Sequence, residues 1–156
     1  MSEVSAIRFT QEQTRTLTGV SVETLRHWRK AVPYLRAKPG KSARFTFADI
    51  VGLAAIRELT TTFGVHITNV SAGVNALFEL LAETRPTLLE NAVVVVTAAE
   101  ASLFSIEDCT ERLEGPALVV PLGPLIAGLR RYMLPIAPAS EQGSLPFPPR
   151  MVRSGT

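Results

Sequence analysis

The sequence predicts an α+β fold, with a helical N-terminal domain, a connecting helix and a small C-terminal α/β unit. Three observations predict this fold class. Capping residues divide the N-terminal part of the chain into short helices. Apolar residues from Ile67 to Leu81 recur at the spacing of a helix face. Two runs of aliphatic residues, Val93–Val96 and Ala117–Val120, then alternate with helical segments, as strands do in an α/β unit.

The composition limits the class of protein. A chain of 156 residues, 46% of them hydrophobic, suffices for one ordinary domain or two small ones. No apolar run reaches the roughly 20 residues of a membrane span, and the N-terminus lacks the pattern of a signal peptide. The one cysteine, Cys109, cannot form an internal disulfide. We therefore expect a reduced, cytoplasmic setting and no membrane partner.

The charge is distributed unevenly along the chain. The segment from Arg8 to Arg44 contains nine Lys or Arg and two acidic residues, a net charge of +7. Since the whole chain carries +2, the remainder carries −5. A basic segment of this kind indicates either a polyanion partner or a solvated basic face, and the pattern within the segment has to decide.

Two short helices are predicted at the start of this segment. Thr10 is a candidate N-cap with capping-box spacing, and it predicts a helix over residues 11–17. Gly19 suits a left-handed helix end. Ser21 is the next N-cap, and it predicts a second helix over residues 22–30. Two short helices joined by a tight turn that contains glycine form a helix-turn-helix.

A hairpin and a third helix are predicted next. Residues 34–36 and 43–45 are its candidate strands, and residues 38–42 between them are rich in turn formers. Residues 7–9 are a candidate edge strand. A hairpin at this place makes the helix-turn-helix a winged one. Thr46 then caps a third helix that ends near Thr61.

A fourth helix is predicted from Thr68 or Asn69 to just before Pro86. Its apolar residues alternate in steps typical of a coiled-coil seam. Two interpretations stay open, because the seam could join two chains or pack inside its own domain. The candidate dimerisation residues are Val70, Val74, Leu77 and Leu81.

The C-terminal part predicts two strands, 93–96 and 117–120, and a last helix over residues 122–133. Residues 101–106 either pair back with the first strand or begin a helix. A helix is also predicted over residues 105–113. A unit of this size has marginal stability on its own, so it is expected to pack against the fourth helix or a second copy of itself.

The predicted organisation has four parts. Residues 1–66 form the winged domain, residues 67–85 the connecting or dimerisation helix, and residues 86–134 the α/β dimerisation or effector unit. Residues 135–156 are rich in proline and are predicted to be a flexible tail without a core.

Three motifs carry a family resemblance. The run TGVSVETLRHW at residues 18–28 resembles the turn and recognition helix of the MerR family of bacterial regulators. Residues 44–50 resemble the end of its wing and the start of the next helix, and residues 56–59 with 63–65 resemble that helix's end. The resemblance spans residues 9–67, and the C-terminal region resembles no family that we recognise.

The resemblance implies that the second helix enters the major groove of double-stranded DNA. Arg26 can contact a phosphate or the edge of a guanine, although it could instead pair with Glu23. Trp28 could pack in the core or donate to a phosphate. The basic side chains of the wing would contact the DNA backbone and make the affinity for DNA fall as the salt concentration rises, or they could simply be solvated. The candidate DNA-binding residues are Ser21, Thr24, Arg26, His27, Trp28, Lys30, Lys38, Lys41 and Arg44.

Metal, cofactor and catalytic chemistry find little support in the sequence. Cys109, His27 and His66 are not spaced as metal ligands. The segment 121–124 is not a phosphate-binding loop, and no nucleophile and base can be paired. We therefore expect no metal, no cofactor and no enzymatic activity.

The leading hypothesis is a bacterial, sequence-specific transcriptional regulator that acts as a homodimer, because one short recognition helix reads few bases. RNA polymerase or another protein is a possible further partner. The first alternative is a DNA architectural factor, excisionase-like or a phage-encoded recombination accessory protein. The second is an antitoxin-like module that binds a protein partner and represses its own operon.

Overall fold

The computed structural model describes residues 7–38, 42–108 and 113–133. Its helices and strands confirm the predicted α+β class. The elements are, in chain order, α1 (Gln11–Thr18), α2 (Val22–Ala31), α3 (Pro33–Arg36), α4 (Phe47–Phe63), a 3₁₀ helix (Ile67–Val70), α5 (Ser71–Ala82), α6 (Pro86–Leu89), β1 (Ala92–Val96), β2 (Ala101–Ser105), β3 (Leu118–Pro121) and α7 (Leu122–Met133).

Local capping interactions define the first helices as predicted. Thr10 and Gln13 form a reciprocal capping box at the start of α1. Gly19 ends α1 with φ of 78°, a left-handed conformation that glycine adopts without steric cost. Ser21 caps α2, and Thr46 forms a second capping box with Asp49 at the start of α4.

The predicted hairpin of the wing is wrong in its first strand. Residues 34–36 belong to α3, in which Pro33 occupies the first helical turn. The Tyr34 amide donates to Asn75 Oδ1 at 2.7 Å, so this backbone is not available to a strand ladder. Phe45 pairs instead with Phe9, each amide donating to the other's carbonyl at 2.8 Å.

The C-terminal part is a three-stranded antiparallel sheet with the order β2-β1-β3. Residues 101–105 therefore form a strand and pair back with β1. The helix predicted over residues 105–113 is wrong where the structure describes it, because Ser105 ends β2 and residues 106–108 form a turn. Residues 109–112 of that segment lie outside the described residues.

One continuous hydrophobic core joins the helical part to the sheet. It extends from Phe9 through Ile50 of α4 and Leu77 of α5 to Val94 of β1 and Ile126 of α7. Helix α4 contacts both α5 and α7, and it lies at the centre of this core. The helix-turn-helix therefore shares its core with the elements that follow it in the chain.

Candidate nucleic-acid interface

Helix α2 has a buried side and an exposed side. Leu25 and Trp28 are 1% and 3% exposed and pack in the core. Arg26, His27 and Lys30 are exposed. Because these three side chains fall within little more than one helical turn, they form one basic surface, which we name the outer face of α2.

Ser21 and Thr24 organise the start of α2. Ser21 Oγ accepts a hydrogen bond from the Thr24 amide at 3.1 Å, and the Ser21 hydroxyl donates to Thr24 Oγ1 at 2.9 Å. This N-cap orders the first turn, whose remaining amide groups carry the partial positive charge of the helix dipole. An anionic group such as a phosphate is the ligand that this end of a helix favours.

Arg26 is held only weakly within the chain. Its guanidinium lies 3.7 Å from the Glu23 carboxylate, and the two side chains are 60% and 86% exposed. An exposed ion pair of this kind contributes less than about 1 kcal/mol. The guanidinium can therefore exchange this partner for an external anion at little cost.

Lys38 lies at the first end of the wing, the segment 38–44. Its ammonium group is 3.3 Å from Asp49 Oδ2 and donates to the Arg44 carbonyl at 3.1 Å. The same nitrogen lies 5.8 Å from the ring centres of Tyr34 and Phe45. With a side chain only 24% exposed, Lys38 connects the two ends of the wing to the start of α4.

Asp49 is buried at 1% exposure and is the centre of this polar network. Its carboxylate accepts from the Tyr34 hydroxyl at 2.7 Å and from the Thr46 amide at 2.9 Å. Burial raises the pKa of Tyr34 well above its ordinary value, and the hydrogen bond to Asp49 raises it further. The ring of Tyr34 stacks on Phe78 of α5 with centres 5.3 Å apart.

Arg29 of α2 points away from the outer face. Its Nε donates to the Lys38 carbonyl at 2.8 Å, and its Nη2 donates to Gln11 Oε1 at 2.5 Å. Burial and the nearby charge of Arg26 lower the pKa of Arg29. The Arg29 guanidinium thus connects α2 to both α1 and the first end of the wing.

A family comparison agrees with this geometry. Residues 9–76 match the model of the MerR HTH family regulatory protein. Residues 9–76 are a MerR-type helix-turn-helix domain. The resemblance predicted over residues 9–67 is confirmed, and the match also covers the first half of α5. Neither the comparison with curated proteins nor that with solved structures gives a match.

The MerR-type domain is a DNA-binding regulatory domain rather than a catalytic one. It contains all nine of the predicted DNA-binding residues. Within the described residues, no helix combines the length and the apolar character that crossing a membrane requires. Over the same part of the chain, no three His, Cys, Asp or Glu side chains are grouped so that they could hold a metal ion.

The structure separates the predicted DNA-binding residues of the MerR-type domain into groups. Ser21, Thr24 and the outer face of α2 lie together at one accessible surface. Trp28 packs in the core, and the Lys38 ammonium pairs with Asp49. Both residues therefore have a structural role within the chain. Arg44 is exposed at the second end of the wing, while Lys41 lies outside the described residues.

Sequence reasoning missed two arginines beside the outer face. Arg36 was assigned to a strand, but it ends α3, is exposed, and donates to the Lys30 carbonyl at 2.7 Å. Arg29 is absent from the predicted DNA-binding residues, although it is half-buried beside the outer face. Their membership of the basic segment was the available signal, but charge alone does not tell which way a side chain points.

The predicted dimerisation residues lie in or beside the hydrophobic core of their own chain. Val74, Leu77 and Leu81 are at most 1% exposed and pack inside their own chain. Val70 is half-buried at the edge of the same core. A seam between two chains through these residues would require α5 to leave the core.

Proposed function

We propose that the protein is a sequence-specific double-stranded DNA-binding transcriptional regulator that acts as a dimer. One observation carries the proposal: the MerR-type domain exposes Arg26, His27 and Lys30 together on the helix that follows its turn. A helix fits the major groove, where an arginine can pair with a guanine edge through two hydrogen bonds. Action on chromosomal DNA implies a cytoplasmic location.

The proposed contacts divide into two kinds. Arg26 and Lys30, with His27 between them, recognise bases in the major groove. The start of α2, Arg44 and Lys41 contact phosphates, so they set affinity and its dependence on salt. Trp28 and Lys38 support these contacts from inside the chain.

Dimerisation follows from the size of the recognition element. The outer face of α2 spans about one helical turn and can contact only a few base pairs, so two half-sites are needed for specificity. The dimer surface that we propose lies outside the buried part of α5. Apolar side chains that the chain leaves exposed are available for it, among them Phe63, Leu88, Ile106 and Tyr132.

The experiment incubates purified protein with sheared genomic DNA at moderate salt and sequences the retained fragments. The wild type is compared with Arg26→Ala and with Arg131→Ala, an exposed arginine at the end of α7 that loses the same charge. We expect a few enriched sites with an inverted repeat, retention by the control, and at least about a tenfold loss for Arg26→Ala, as one lost guanine contact produces. Light scattering of the complex should show two chains of 16.9 kDa per site.

Other outcomes favour other functions. Broad retention that is sensitive to salt and shows no enriched sites indicates an architectural DNA-binding protein. Absence of retention by the wild type contradicts the regulator proposal and favours a module whose main partner is a protein. A single chain per enriched site contradicts the dimer alone.

A further inference from the structure

Arg29 makes two hydrogen bonds inside the chain, through its Nε and its Nη2. The Nε donates to the Lys38 carbonyl at the first end of the wing, and the Nη2 donates to Gln11 at the start of α1. The side chain is half-buried and extends toward Gln11 and Lys38. Arg29 therefore connects the recognition helix directly to Lys38, at the first end of the wing.

The second end of the wing is tied to the first. The Lys38 ammonium donates to the Arg44 carbonyl at 3.1 Å, and Asp49 holds that ammonium at 3.3 Å. Phe45, the next residue, is paired to Phe9 by two backbone hydrogen bonds. The Lys38 side chain therefore connects the backbone that Arg29 holds to the Arg44 carbonyl at the other end of the wing.

We propose that Arg29 is a positioning residue that holds the wing in register with the recognition helix, so that Arg44 meets the DNA backbone while Arg26 occupies the groove. The inference rests on the proposed function, because it assigns these two arginines to one DNA surface. The Arg29 guanidinium is oriented by its Nε and Nη2 hydrogen bonds to Lys38 and Gln11, so its position is set by the wing and by α1.

The chemistry of this position requires arginine. Its planar guanidinium presents donors in two directions at a fixed angle, which suits two acceptors on separate elements. A lysine keeps the charge but has a single nitrogen on a flexible chain. Arg29→Lys therefore removes the brace between α1, α2 and the wing, while the net charge stays constant.

The first test is hydrogen exchange of the free protein. Arg29→Lys should increase amide exchange in peptides that span residues 37–45, with no increase in α4. Arg36→Lys is the matched control, since the hydrogen bond that Arg36 makes within the described residues goes to the Lys30 carbonyl of α2 and not to the wing. Unchanged exchange over the wing in Arg29→Lys would overturn the proposal whatever the DNA results are.

The second test is a double-mutant cycle on binding to an enriched DNA site. We expect Arg29→Lys to weaken binding on the order of tenfold, within the range of coupled contacts. Arg44→Ala should cost less in the Arg29→Lys background than in the wild type, whereas Arg26→Ala should cost the same in both. Full additivity of Arg29→Lys with Arg44→Ala overturns the positioning role and leaves the regulator proposal intact.

The two proposals fail in different ways. If the wild type retains no DNA, the regulator proposal and the DNA role of Arg29 both fall, while the exchange test still decides whether Arg29 holds the wing. If Arg29→Lys does not fold, Gln11→Ala removes one arm's partner and should give the same pattern of coupling with a smaller loss. Additivity in that variant also overturns the proposal.

Discussion

Tyr34 is a single residue that contacts both α4 and α5. Its hydroxyl donates to Asp49 at the start of α4, its amide donates to Asn75 of α5, and its ring stacks on Phe78. Burial raises the pKa of the Tyr34 phenol, and the Asp49 carboxylate raises it further because ionisation would place a second negative charge beside it.

The raised pKa of Tyr34 predicts a loss of stability at alkaline pH. The folded state holds this proton while the unfolded chain loses it above the ordinary pKa of 10.0. The stabilisation is therefore complete below that pH and declines as the pH rises above it, by up to about 1.4 kcal/mol per pH unit. Tyr34→Phe lacks this ionisation, although it loses a hydrogen bond worth about 1 kcal/mol at neutral pH.

The measurement is urea unfolding of wild type and Tyr34→Phe between pH 7 and pH 11.5. We expect the wild type's advantage to shrink above about pH 10. Tyr132→Phe, which removes an exposed tyrosine, should follow the wild type throughout. A constant difference between wild type and Tyr34→Phe would show that the pKa of Tyr34 is not raised in the folded state.

At the scale of elements, α4 and α5 pack closely at Gly52. A Cβ atom added at Gly52 would lie 2.6 Å from a ring carbon of Phe78, whose ring is fixed by the stack with Tyr34. Gly128 of α7 has no atom within 4 Å of the same position. The two glycines therefore differ in packing, although both lie inside helices.

This difference predicts opposite effects of one substitution. Gly52→Ala should destabilise the protein by about 1–3 kcal/mol, because overpacking outweighs the gain in helix propensity. Gly128→Ala should stabilise it by about 0.5–1 kcal/mol. Thermal unfolding of the two variants measures this directly, and a Gly52→Ala variant as stable as the wild type would contradict the close contact of α4 with α5.

At the scale of the whole molecule, the continuous core predicts that the MerR-type domain and the sheet unfold together. The division into separate parts remains a prediction from sequence, whereas the buried residues form one cluster across them. Trp28, the one tryptophan, reports on the helix-turn-helix. A change made in the sheet should therefore move the transition that Trp28 detects.

Val94→Ala is the test of this coupling. Val94 is fully buried in the central strand β1, and its truncation should cost about 1–3 kcal/mol. The midpoint from Trp28 fluorescence should fall by the same amount as that from circular dichroism. Val119→Ala, at 40% exposure on β3, should change both much less. An unchanged Trp28 midpoint in Val94→Ala would mean that the two parts unfold separately.

The sequence by itself determined the features that depend on near neighbours. Thr10, Ser21 and Thr46 cap their helices through groups three residues away, and Gly19 ends α1 through its own backbone. The family motifs lie in the same segment, so the domain and its exposed basic helix were predictable. The strong β propensity of Val93–Val96 made β1 predictable as well.

Tertiary structure alone decided the features that depend on distant partners. Pro33 was a local signal for α3, but the partner of the Tyr34 amide in its first turn is Asn75, far along the chain. The predicted seam of α5 is core because α4 and the sheet cover it. Arg26 and Arg29 are near neighbours on one helix, yet one points outward and the other braces the wing. The direction of such a side chain depends on which elements pack around its helix. Those elements are distant in sequence, so the local sequence does not predict the direction.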